Sequence, residues 1–125
     1  MATCTELTNE QTYLGHDNPV TIVPYSDYGA RTNWDMAATT KVVVSADLVS
    51  SVATGDDIEM NSTDDPTIIS FNQDADDIWQ IHMVVGMFTS IVAGEYKLRV
   101  IIEDAVNTNG IVIADDLLVD VVEIP

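Results

Sequence analysis

A chain of 125 residues is the size of one domain and too short for two separately cored ones. Its 21 acidic residues against 4 basic ones leave a formal charge of −17, a field that repels nucleic-acid phosphates and anionic membranes and so argues against both as partners. Apolar residues reach 46%, yet polar residues interrupt every aliphatic run well short of the roughly 20 residues a membrane-spanning helix needs, and a single cysteine, Cys4, excludes an internal disulfide or a cysteine zinc site.

Residues 1–19 carry neither the basic start nor the apolar run of a secretory signal, so the mature chain is expected to begin at Met1. The pattern divides near residue 36. Residues 1–36 read as an extended N-terminal arm in which only Pro19-Val-Thr-Ile-Val23 has strand character, opened by Asp17-Asn18 and closed by Pro24. Tyr25, Tyr28 and Trp34 follow in a turn-rich stretch, where apolar rings either fold back on their own domain or dock on a neighbour. Together with Tyr13 they are the candidate partner-binding residues.

From residue 37 to 125 strand signals come at short intervals. Thr39 to Ser45 is rich in β-branched residues, and Thr67 to Phe71 follows the breaker Asp64-Asp65-Pro66. Between Asp77 and Val85 the alternation puts Trp79, Ile81, Met83 and Val85 on the buried face and Ile78, Gln80, His82 and Val84 on the other. Glu95 to Val106 alternates likewise, with Tyr96, Leu98, Val100 and Ile102 inward. Gly110 to Ile113 and Leu117 to Ile124 complete the set after the turn Asn107-Thr-Asn-Gly110. About seven short strands, no capped helical period and no connection long enough for a crossover helix predict an all-β, antiparallel β-sandwich. Gly94-Glu-Tyr96 adds detail: glycine permits a tight corner into a strand, and a tyrosine two residues later can pack inward while its hydroxyl reaches a backbone group, as in the tyrosine corner of immunoglobulin-like domains.

Chemistry is sparsely signalled. Asp74-Ala-Asp-Asp77 superficially resembles the start of a calcium loop but lacks its glycine and terminal glutamate, and acidic turns between strands are ordinary solvated surface. Paired carboxylates for glycoside hydrolysis need to face each other across a cleft, a spacing no sequence reveals. His16 and His82 share no triad or metal-ligand spacing with a nucleophile, and His82 is expected on the outer face. The cations Arg31, Lys41, Lys97 and Arg99 are too few for a nucleic-acid patch. The expectation is no enzyme, with no catalytic residue, cofactor or metal.

The succession Thr40-Lys-Val-Val-Val44, Thr67-Ile-Ile-Ser-Phe71, Ile78-Trp-Gln-Ile-His-Met-Val84, Gly94-Glu-Tyr-Lys-Leu98, Arg99-Val-Ile-Ile-Glu-Asp104 and Asn109-Gly-Ile-Val112 resembles small immunoglobulin-like structural proteins of tailed bacteriophages. The resemblance covers roughly residues 39–124. It implies an immunoglobulin-like sandwich located in the virion, a capsid decoration or cement subunit present in many copies and bound to the major capsid protein or other virion proteins. A tail or baseplate adaptor is the neighbouring alternative, and a calcium-dependent adhesion or carbohydrate-binding module a more distant one.

Overall fold

The computed structural model describes residues 4–8, 11–27, 32–49 and 58–123. Ten extended segments follow in chain order: β1 (Cys4–Thr8), β2 (Gln11–Tyr13), β3 (Val20–Asp27), β4 (Thr32–Asn33), β5 (Thr39–Leu48), β6 (Ile58–Asn61), β7 (Ile69–Gln73), β8 (Trp79–Met83), β9 (Gly94–Asp104) and β10 (Ile111–Val122). A 3-10 turn, Val85–Met87, stands between β8 and β9. The strands form two sheets, one in the order β1-β3-β8-β7 with β4 added to β3, the other in the order β2-β10-β9-β5-β6. One apolar cluster takes residues from both sheets, including Val20, Ile22, Ile69, Ile81 and Met83 from the first and Val42, Val44, Tyr96, Leu98, Val100 and Ile102 from the second. The protein is therefore all-β, with two sheets sharing one core in the manner of a β-sandwich.

The alternating strands fold as their pattern predicts. In β9, Tyr96, Leu98, Val100 and Ile102 are buried while Glu95, Lys97 and Arg99 face outward. In β8, Ile81 and Met83 are fully buried and Trp79 is half-buried against the core. Each such aliphatic side chain contributes about 1.5–3 kcal/mol on leaving water, so two strands of this kind, one in each sheet, suffice to set which faces turn inward.

The corner into β9 is held by Tyr96, whose hydroxyl donates to the Val92 carbonyl at 3.0 Å and accepts from the Val92 N–H at 3.2 Å. Gly94 precedes it with φ +154°, a backbone region that strains residues bearing a Cβ. Gly86, in the 3-10 turn, is fixed by space instead: a Cβ there would lie 2.0 Å from the Tyr13 carbonyl oxygen. This close approach ties the 3-10 turn to the loop after β2, where the Gly15 N–H donates to the Gly86 carbonyl at 2.9 Å.

The first 36 residues differ from the extended arm with one strand expected of them. Their described portion forms four strands, and β3 lies inside its sheet between β1 and β8, with Val20 and Ile22 fully buried. Nor does Pro24 close β3, which continues to Asp27. The reason is directional. The register Ile22↔Ile81 would next place Pro24 opposite Trp79, where a proline cannot donate to the Trp79 carbonyl. The Asn33 side chain fills that place: its Nδ2 donates to the Trp79 carbonyl at 3.2 Å and the Pro24 carbonyl at 3.0 Å, while its Oδ1 accepts the Trp79 N–H at 2.7 Å. A side-chain amide thus substitutes for one residue of strand, and the chain passes through a proline without losing the sheet.

At the other end, the two segments expected at 110–113 and 117–124 are one strand, β10, whose register against β9 shifts between Val112 and Ala114 and again between Ala114 and Leu117. Asp115 and Asp116 sit at this irregularity, so the polar interruption in the sequence is a bulged stretch rather than a turn. β2 joins the far end of β10 in the parallel sense, against antiparallel pairing between all the other strands.

Candidate docking surfaces

The three described aromatic candidates, Tyr13, Tyr25 and Trp34, do not form one patch. Tyr25 and Trp34 belong to the β3–β4 hairpin, where Tyr25 pairs with Asn33 and the Trp34 N–H donates to the Pro24 carbonyl at 2.9 Å. Trp34 is half-buried and packs against the core, and Tyr25 is half-buried as well. Tyr13 lies in the other sheet, paired with Val122 and beside Gly86, at the opposite end of the strands. Tyr28 lies outside the described residues.

The acidic turns use their carboxylates locally. Asp74 Oδ1 accepts the N–H groups of Asp76 at 2.8 Å and Ile78 at 3.0 Å, and its Oδ2 receives the Gln80 amide at 3.4 Å. This closes the β7–β8 hairpin around Asp77, whose φ of 61° is one of two positive values at non-glycine residues among the described residues. Asp104 does the same between β9 and β10, accepting the N–H groups of Asn107 at 2.6 Å and Val106 at 2.9 Å. The Asn107 backbone bond is the main cause, with the Asn107 side chain next, that holds the Asp104 carboxyl below the ordinary aspartate range. At Asp74, where the sequence resembled the start of a calcium loop, the carboxylate is directed at two backbone donors and the Gln80 amide. Among the described residues, no three of His, Cys, Asp and Glu come together as a group able to hold a metal ion.

His82 faces outward from the first sheet and is half-buried, linking three strands: its Nε2 meets Asn72 Oδ1 at 3.0 Å and its Nδ1 meets Thr21 Oγ1 at 3.3 Å. The Asn72 oxygen is an acceptor, so the Nε2 carries the proton and the Nδ1 takes the threonine hydroxyl's. That arrangement fastens β3 and β7 to β8.

Charge is unevenly placed. Lys41, Lys97 and Arg99 all lie on the outer face of the second sheet, Lys41 within 3.8 Å of Glu103 and Lys97 directly across from Asp47. Between them runs an apolar row, Val43, Ile101 and Val112. Acidic residues crowd the turns, Asp74, Asp76 and Asp77 between β7 and β8 and Asp104 at the end of β9. A shallow cleft of about 310 Å³ is lined by Asp17, Thr67, Ile68, Val84 and Met87. Its walls offer one carboxylate, Asp17, and one hydroxyl, Thr67.

Sequence reasoning passed over Asn33 and the open strand edges, because both depend on which segments become neighbours. No protein-family model matches this chain, and no curated protein matches it.

Proposed function

We propose that this protein is a non-enzymatic structural subunit of a tailed-phage virion, an immunoglobulin-like capsid decoration protein that binds neighbouring coat subunits. The observation that carries this reading is the strand order. The β1-β3-β8-β7 sheet follows the A-B-E-D order of an immunoglobulin-like sandwich, and β10-β9-β5-β6 follows G-F-C-C′. Tyr96, near the start of the strand that corresponds to F, bonds back to Val92 as a tyrosine corner does. Both features support the fold that the resemblance to phage structural proteins implies, and that resemblance supplies the virion.

In this role the mechanism is adhesion by surface complementarity. A subunit seated in a lattice touches several neighbours at once, so individually weak contacts add through effective concentration and hold only on an assembled shell. The charge of −17 suits such a part, because it keeps unassembled copies apart and selects partners with basic or neutral surfaces.

Immunogold labelling of purified particles with an antibody to this chain is the test. Label over the whole head fits capsid decoration. Label confined to the tail or one vertex replaces it with a tail or baseplate adaptor, and particles that carry no label remove the virion role altogether.

A further inference from the structure

β7 ends its sheet, and its backbone directions follow from two hydrogen bonds. The Val84 N–H donates to the Ile68 carbonyl at 2.9 Å and the Asp74 N–H donates to the Ile78 carbonyl at 2.9 Å. Between these bonds the register with β8 runs without a shift from Ile69↔Met83 to Gln73↔Trp79. Even-numbered residues therefore turn their backbone groups toward β8, and Ile69, Phe71 and Gln73 turn theirs away from it. The Ile69 N–H is taken by the Asp65 carbonyl at 2.9 Å. The Ile69 carbonyl and both groups of Phe71 and Gln73 remain directed outward, and among the described residues no strand pairs with them.

Strand edges in native proteins are protected by charge, proline, bulges or brevity. Other described edges here have such devices: β6 carries Glu59, β2 is 3 residues long, and β10 is bulged between Val112 and Leu117. β7, Ile-Ser-Phe-Asn-Gln, has no charge, no proline and no shift of register. Its inner side offers the half-buried Phe71 ring, 6.4 Å from Trp79, and its outer side offers Ser70 and Asn72. Asp64 and Asp65 precede the strand, and Asp74, Asp76 and Asp77 follow it.

We infer that the edge of β7 receives an extended segment of a partner protein as an added strand, uncharged at its centre with an apolar residue beside Phe71, and basic at its ends. Charge decides against a second copy of this chain as the occupant. Two β7 strands paired antiparallel would bring the aspartates after one strand against those before the other, whereas a lysine- or arginine-flanked segment meets a carboxylate at each end. The inference deepens the docking role proposed above and rests on it only for the existence of a protein partner. Particle labelling and strand addition in vitro fail independently.

The test is amide hydrogen exchange and chemical-shift mapping on the whole chain, titrated with a short peptide alternating Thr and Val between pairs of lysines. Exchange at the Phe71 and Gln73 amides should slow by about tenfold or more at saturation. The same peptide N-methylated on alternate residues, or flanked by glutamates, should leave them unchanged. Gln73→Pro removes one outward N–H without touching a bond to β8, and should weaken the lysine peptide by about tenfold. Binding that leaves both amides exchanging freely, equal binding of the N-methylated peptide, or unaltered affinity of a folded Gln73→Pro variant would each overturn the inference. So would protection of these amides in the peptide-free protein that rises with its concentration, which would identify a second copy as the occupant.

Discussion

Replacing Asn33 with alanine probes the least obvious element of the fold. The substitution removes three hydrogen bonds, of 2.7, 3.0 and 3.2 Å, and leaves the Trp79 N–H and C=O facing a proline that has nothing to donate. A backbone group deprived of its partner in a shielded site costs about 1–3 kcal/mol; because Asn33 is only half-buried, water recovers part of this, and a total of about 2–4 kcal/mol is expected. Unfolding entropy of about 2.1 cal/mol/K per residue, over 125 residues, gives about 0.26 kcal/mol/K, so Tm should fall by about 8–15 °C. Thermal unfolding followed by circular dichroism measures this directly. Asn33→Asp sharpens the test, since it keeps the acceptor for Trp79 but turns a second oxygen toward two carbonyls, and should be at least as destabilised at neutral pH. An Asn33→Ala variant melting within a degree or two of the parent would refute the account of how β3 passes through Pro24.

Three further outcomes are expected. Tyr96→Phe should keep the fold but lose about 1–2 kcal/mol, because the hydroxyl both donates to and accepts from Val92, and denaturant titration should move the midpoint without changing the slope. Asp104 has its folded pKa below the unfolded one, so its contribution to stability is fully present above the ordinary aspartate range and is lost as pH falls through the lowered value. A carboxyl chemical-shift titration should place its midpoint below that of an aspartate in an unstructured peptide, and Asp104→Asn should remove this contribution from the acid limb of the stability curve. Deleting residues 1–36 removes β1 to β4, including fully buried Val20 and Ile22, so the truncated chain should show the collapsed amide dispersion of an unfolded protein in its NMR spectrum.

The strands legible in the sequence were those whose inward face is marked by an uninterrupted period of two. β9 is the clearest case, since Tyr96, Leu98, Val100 and Ile102 alternate with polar residues over most of the strand. The role of Tyr96 at its corner was visible for the same local reason, a glycine and a tyrosine two residues apart. What stayed hidden depends on distant pairing. β3 looked short and peripheral because Pro24 is a local stop signal, and the residue that overrides it, Asn33, acts on Trp79 at a separation of 46 residues. β1 and β6 are short and interrupted by polar residues, so propensity alone does not single them out. Of the candidate aromatics, Tyr25 and Trp34 share the β3–β4 hairpin but sit at alternate positions of it, and Tyr13 belongs to the other sheet. The β7 strand itself was readable. That it ends a sheet is a property of topology, which no window of sequence contains.

Acidity in this protein has a local use as well as a global one. Asp74, Asp104 and the pair Asn61–Asp64 each sit where the chain reverses, and each accepts or exchanges bonds with groups that the end of a strand leaves without partners. Aspartate does this well because its short side chain reaches the N–H two or three residues onward. Lysine cannot accept, and glutamate is too long. A sandwich with many short strands needs many such reversals, so part of the charge follows from the architecture before any partner is considered. The remainder, on outward strand positions such as Glu59, Glu95 and Asp120, is under no such obligation. Neutralising those three should change self-association and partner binding while leaving stability within about 0.5 kcal/mol, whereas the same changes at Asp74 and Asp104 should act on the fold itself. Comparing the two sets in salt-dependent binding and in melting experiments separates carboxylates that build the domain from those that choose its company.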